Sequence, residues 1–222
     1  MDTDTMRKPG SHEKALSAFR AGDTKILLGT QMIAKGLDFP NVTLVGVINA
    51  DTALHLPDFR AAERSFGLVT QVAGRTGRGK KGGRVLVQTF SPDNPAIESA
   101  TQHDYLGFVA NELPVREEFN YPPFGQLTRI VVRCETQSLA EQMADHIAQC
   151  VLASVESTGL ELKMLGPSVA PLEKLRGLYR YHMQLVTVQP GAIQRIITHA
   201  KSSIKEIDGV QWIVDVDAQD MV

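Results

Sequence analysis

A chain of 222 residues, 43% hydrophobic and 22% charged, can bury one or two cores and has the balance of a soluble globular protein. Its formal net charge of -2 excludes a polycation, so any nucleic-acid contact must come from local patches. Cys134 and Cys150 are too few for a disulfide framework or a cysteine zinc site, and no run of about 18 apolar residues is present to cross a membrane.

The N-terminal "MDTDTMRKPG" has no apolar core and is not a secretory signal, so the chain reads as cytosolic. "SHEKALSAFRAG" predicts a short helix, with Ser11 as cap, Ala15, Leu16 and Phe19 as the apolar stripe and Gly22 as the stop. "KILLGT" and the β-branched "NVTLVGVINA" predict strands buried on both faces, as in a parallel sheet. A helix follows over "AAERSFGLVTQVAG", then a strand over "GRVLVQTF". Strand–helix–strand order implies parallel α/β packing with right-handed crossovers.

Between Val85 and Asn120 the character changes to six acids (Asp93, Glu98, Asp104, Glu112, Glu117, Glu118) against one base, Arg116. Helical stretches bounded by prolines end at the stiff Pro122-Pro123 break. Strand "LTRIVVRCE", helix "SLAEQMADHIAQCVLASVES" with Ser138 as cap and Glu141 as its partner, strand "LKMLGPSVAPLEK", strand "YRYHMQLVTV", helix "GAIQRIITHAKSSIKEI" and strand "VQWIVDVDA" then follow. That β-α-β-β-α-β succession predicts a ferredoxin-like α+β sandwich. The domains are therefore read as 1–93, an acidic helical linker over 94–123, and 124–222.

Chemistry concentrates in the first part. From Pro57 to Phe90 seven bases (Arg60, Arg64, Arg75, Arg78, Lys80, Lys81, Arg84) stand against Asp58 and Glu63, which favours an anionic ligand over a solvated face of mixed sign. In "QVAGRTGRGKKGG", Arg75 and Arg78 are three residues apart and share a helical face, with Gly74, Gly77 and Gly79 removing bulk beside them. The alternative is a basic loop with glycine stop signals. In "GTQMIAKGLDFPNV", Thr30 and Gln31 suit contact with phosphate or sugar, Gly36 allows close backbone approach, and Asp38 accepts hydrogen bonds from ribose or an arginine. An ordinary polar turn is the alternative there.

A Thr…Gly-x-Asp loop followed by "QVAGRTGR" matches, in order, the fifth and sixth signature motifs of superfamily 2 helicases. With "MDTDT", "ILLGTQMIAKGLDFPNVTLVGVINAD", "LPDFRAAERSF", "YPPFGQL", "GPSVAPLEKLRGLYRYHMQL" and "WIVDVDA", nearly the whole chain resembles the primosomal replication-restart helicases, the primosomal protein N′ (PriA) family. The resemblance implies a RecA-like second helicase lobe followed by the α+β C-terminal domain. No G-x-x-x-x-G-K-[ST] loop and no D-E-x-H motif occur in the sequence. In the family both lie in a first RecA-like lobe, and the zinc-binding cysteines also precede "MDTDT". Met1 falls inside a family motif, so the chain is expected to be a fragment.

The resemblance implies that Gln71, Arg75 and Arg78 reach the triphosphate of ATP, held with Mg by the other lobe, where the arginines stabilise charge on the transferred phosphoryl group. Gly36 and Asp38 would link nucleotide state to the DNA track, Gly74 would allow close approach, and Thr30 and Gln31 would face the DNA backbone. It also implies action at stalled or branched forks, on forked or single-stranded DNA, with primosome proteins and single-strand-binding protein as partners. Lys174, Arg176, Tyr179, Arg180 and Tyr181 interleave bases with aromatics around a hairpin turn, which suits single-stranded or branched DNA. Alternate strand residues facing core and solvent are the other reading. Lys80 and Lys81 read as solubilising. His12, His55, His103, His146, His182 and His199 lack metal spacing, and no metal site is assigned. An RNA-directed superfamily 2 motor and a standalone binding module are the competing functions, and the isolated fragment is expected to show no ATPase.

Overall fold

The structure is a computed structural model that describes residues 10–30, 42–74 and 83–221. The chain divides into two compact units, Met1–His55 with Arg60–Ala110, and Leu56–Phe59 with Asn111–Val222.

In the first unit, helix α1 (Ser11–Ala21) ends at Gly22, which takes the left-handed conformation at φ 85°. Gly10, not Ser11, is its N-cap. Strands β1 (Leu44–Val47) and β2 (Arg84–Val87) pair in parallel from Leu44↔Arg84 to Val47↔Val87. Helix α2 (Asp51–Leu54) follows β1, and α3 (Ala61–Ala73) lies between the two strands in sequence. Phe66 and Val69, three apart on α3, face a core with Ala50, Ile97, Ala100 and Phe108. The Phe66 and Phe108 rings stack with centroids 4.4 Å apart. Helix α4 (Pro95–Thr101) starts where the sequence dictates: the Asn94 side chain accepts from the Ala96 N–H at 2.9 Å and Pro95 needs no donor. Buried Asp51 ties the end of β2 to α2. Its carboxylate accepts from the Phe90 N–H at 2.9 Å and the Thr89 hydroxyl at 2.8 Å.

Two expectations are corrected here. "KILLGT" is not a strand, and Ile26 and Leu28 are 74% and 70% exposed. An apolar run becomes a strand only when a non-local strand pairs with it, and among the described residues β1 and β2 pair only with each other. Nor are β1 and β2 buried on both faces. Val47 and Val87 pack toward α3, whereas Leu44 and Leu86 on the reverse face are exposed.

Helix α5 (Tyr105–Glu118) runs across the division between Ala110 and Asn111. Pro114 within it lacks the N–H that would bond the Ala110 carbonyl.

The second unit is a four-stranded antiparallel sheet with two helices on one face. Strand β3 (Gln126–Cys134), helix α6 (Gln137–Thr158), β4 (Lys163–Leu175), β5 (Leu178–Thr187), α7 (Ala192–Lys201) and β6 (Gln211–Val216) follow in order. The sheet order is β4-β5-β3-β6, the split arrangement of a ferredoxin-like sandwich. Met143, Ile147 and Val151 on α6 and Ile193 and Ile196 on α7 meet Ile130, Val132, Met183 and Leu185 in one core. The Ser154 hydroxyl donates to the Ile196 carbonyl at 2.9 Å and ties the helices together. Helix α6 begins one residue before Ser138, with Thr136 as its N-cap and no side-chain cap bond, so the expected Ser138–Glu141 box does not form. On the sheet's other face Leu127, Val186, Ala218 and Met221 pack with Phe59 and Tyr121, whose rings stack at 5.0 Å. The edge strand β4 is irregular, with register shifts between Leu165 and Ser168 and between Val169 and Lys174.

Candidate nucleotide and nucleic-acid surfaces

Of the candidate nucleotide residues in the first unit, Gln71 and Gly74 are described, and both lie at the end of α3. Gln71 is half-buried in its last turn, and Gly74 is the C-cap, its N–H bonded to the Thr70 carbonyl at 3.0 Å. Gly74 has φ -67°, and a Cβ built there would meet nothing closer than the Thr70 carbonyl at 3.6 Å. Neither backbone conformation nor packing within the described residues demands a glycine at that position. Thr30 is exposed. Gln31, Gly36, Asp38, Arg75 and Arg78 lie outside the described residues, as do Lys80 and Lys81.

In the second unit the structure takes the basic-aromatic cluster of the hairpin apart. Adjacent strand residues point to opposite faces, and register partners share one. Lys174 pairs with Tyr179, and its ammonium sits 4.2 Å from the centre of that ring. Arg180 projects to the other face, opposite Arg133. Tyr181 returns to the helix side and is 7% exposed in the core, so its ring is not offered to a base. Arg176 stands at the tip of the β4–β5 hairpin with φ 52°, followed by Gly177 at φ 88°. Two central residues of positive φ make this the two-residue turn whose twist matches the strands.

Two groups on the face away from the helices were not singled out by sequence. Arg129 is 2% exposed; its Nε donates to Nδ1 of His182 at 3.2 Å and its Nη1 to the Asp220 carbonyl at 3.3 Å. Burial, followed by the charges of Arg129 and Arg180, lowers the His182 pKa to about 4. Burial also lowers the Arg129 pKa, joined by Arg180 and opposed by Asp220, Asp215 and Asp58. Arg133 is the second group, and its Nε donates to Oε1 of Gln211 at 3.0 Å. The signal was available in "LTRIVVRC": Arg129, Val131 and Arg133 alternate with apolar residues at the strand period. Among the described residues no group of three His, Cys, Asp or Glu side chains could hold a metal ion, and no helix is long and apolar enough to cross a membrane.

Residues 4–80 match the family described as helicase conserved C-terminal domain, and residues 117–219 match the primosomal protein N C-terminal domain. The chain belongs to the replication restart protein PriA family. It is 45% identical over 210 residues to the PriA replication restart protein of Bacillus subtilis (strain 168), covering 93% of this chain and 26% of that protein. The PriA protein of Synechocystis is 40% identical over 222 residues, covering 97% of this chain and 25% of its own length. That of Haemophilus influenzae is 38% identical, covering 100% and 30% respectively. The chain thus spans about a quarter to a third of these PriA relatives. Strand β1 and helix α3 lie within the residues matched to the helicase C-terminal domain, β2 follows just beyond them, and the antiparallel sheet lies within the residues matched to the primosomal C-terminal domain.

Proposed function

We propose that this chain is the C-terminal part of an ATP-dependent 3′-to-5′ DNA helicase of the primosome that restarts replication at stalled or branched forks in the cytoplasm. The order of the two matches carries the reading: a helicase C-terminal domain over 4–80 is joined in one polypeptide to the primosomal C-terminal domain over 117–219. In this reading the first unit is the second motor lobe and the second unit is a DNA-contacting domain, with primosome proteins and single-strand-binding protein as partners.

ATP with Mg, when bound, supplies the phosphoryl-transfer free energy that drives the motor. On this chain Gln71, Arg75 and Arg78 would meet its phosphates, and Gly74, a glycine that the described structure does not itself require, would admit that close approach. Gly36 and Asp38 would couple this site to DNA held by Thr30 and Gln31.

The test uses the polypeptide extended to the length of its relatives. Arg75→Ala and Arg78→Ala should each lower DNA-stimulated ATPase by about a thousandfold or more, with nucleotide binding changed far less. ATPase near that of the unchanged protein would overturn the assignment. Stimulation by RNA and not by DNA would reassign the motor.

A further inference from the structure

The sheet of the second unit has one face covered by α6 and α7. Along its other face the β3–β5 register places Leu127 opposite Val186, Arg129 opposite Gln184, Val131 opposite His182, and Arg133 opposite Arg180. The first of these pairs is covered by Ala218, Met221, Phe59 and Tyr121. Next to it, the charge of Arg129 is offset by Asp220, Asp215 and Asp58.

At the far end two arginines face each other. Arg133 and Arg180 are half-exposed and directly opposed on neighbouring strands, a placement that brings Cβ atoms to about 5 Å and is destabilising for like charges. Neither makes an ion pair among the described residues. Arg133 uses Nε on Gln211 at 3.0 Å, and Arg180 uses Nη1 on the Leu172 carbonyl at 3.5 Å. Each contact fixes one edge of a guanidinium and leaves other donors of the fork available. Ile213 on β6, two residues from Gln211 on the same face, is 46% exposed beside them.

We propose that Arg133 and Arg180 together bind one phosphate of a single-stranded nucleic-acid backbone, with Ile213 as the apolar shelf beside it. In the structure the two guanidiniums lean apart, Arg133 toward Gln211 on β6 and Arg180 toward Leu172 on β4. Turned from these single contacts, two planar forks on directly opposed positions of adjacent strands can close on one tetrahedral oxyanion, whose charge relieves their repulsion. The proposal rests on the DNA-binding reading above and adds to it a residue, Arg133, outside the hairpin.

The test is fluorescence anisotropy of the 222-residue chain with a labelled oligodeoxythymidylate across a salt series. Arg133→Ala and Arg180→Ala should each weaken binding on the order of tenfold. Each should also lower the slope of log affinity against log salt by about 0.7, the value for one phosphate on a single strand. The double variant should lose no more slope than either single one, because the two side chains share a phosphate. Arg133→Gln and Arg180→Gln, with urea midpoints measured in parallel, separate lost contact from lost folding. Lys201→Ala, at the end of α7, should change nothing.

Unchanged slope and affinity in both alanine variants, with the parent chain binding, would overturn the proposal. It would also fall if the parent chain bound no oligonucleotide at any salt, while the ATPase of the extended polypeptide would still decide the helicase reading. Displacement by a polyglutamate peptide with equal affinity, lost in the same variants, would assign the pair to an acidic protein segment and likewise overturn it.

Discussion

Arg129 donates from Nε to Nδ1 of His182 at 3.2 Å, and both side chains are buried between the sheet and the C-terminal segment. The bond defines the imidazole: Nδ1 accepts, so the ring is neutral and carries its proton on Nε2. A second proton would place two cations in contact out of water.

Stability should therefore depend on pH through this ring. The pKa of His182 is held at about 4 in the fold, below its ordinary 6.5. As pH falls through 6.5 the unfolded chain takes up the proton and the folded chain does not. The stabilisation is thus complete above 6.5 and is lost progressively down to about 4. His182→Asn keeps an acceptor for Arg129 but cannot titrate. In urea unfolding from pH 7.5 to 4, the parent should lose stability faster than this variant. Parallel curves would count against the neutral ring.

Gly125, in "YPPFGQL", has a steric reason to be glycine. A Cβ there would collide with the Asn120 carbonyl oxygen and stand 3.0 Å from that of Thr187, both main-chain atoms. Gly125→Ala should cost about 1–3 kcal/mol in the second unit, read from its unfolding transition in urea. A midpoint equal to that of the parent would show that the 120–125 turn relaxes freely.

Arg176 occupies a left-handed position where Asn before Gly is the favoured choice. Arg176→Asn should raise thermal stability by about 0.5–1 kcal/mol and weaken oligonucleotide binding. Such an opposition of effects would show that the arginine is kept at the tip for contact and not for the turn. Lower stability with unchanged binding would point the other way.

Tyr181→Ala should destabilise the second unit by about 3 kcal/mol or more, as truncation of a core aromatic does. Tyr181→Phe should leave oligonucleotide affinity unchanged. A tenfold loss of binding in the phenylalanine variant, with folding intact, would return the Tyr181 hydroxyl to the contact surface.

The C-terminal sandwich was legible because its strands alternate and its helices carry continuous apolar stripes. Ile130, Val132 and Cys134 interleave with Arg129, Val131 and Arg133, and parity alone assigns each set to a face. The same parity places Tyr181 with Met183 and Leu185, yet closeness in sequence to Arg180 suggested a shared surface. Strand neighbours point apart, and only the register reveals that the true neighbour of Arg180 is Arg133, 47 positions away along the chain. "KILLGT" failed for the converse reason. Its composition suits a strand, but pairing is supplied by distant chain, which no local pattern contains. Arg75 and Arg78 are assigned from spacing and resemblance alone, and they lie outside the described residues; Gly74 before them has φ -67° and only ordinary contacts where a Cβ would stand, so the fold itself does not explain the glycine.

The irregularity of β4 has a consequence for association between chains. Its outer margin holds Pro167 and Pro171, which have no N–H to offer, and its ladder to β5 is twice interrupted. An intruding extended segment would find no continuous row of donors and acceptors there, so that margin is protected against intermolecular sheet growth. On this sheet, among the described residues, the margin left for a foreign strand is Gln211–Val216 on the opposite side.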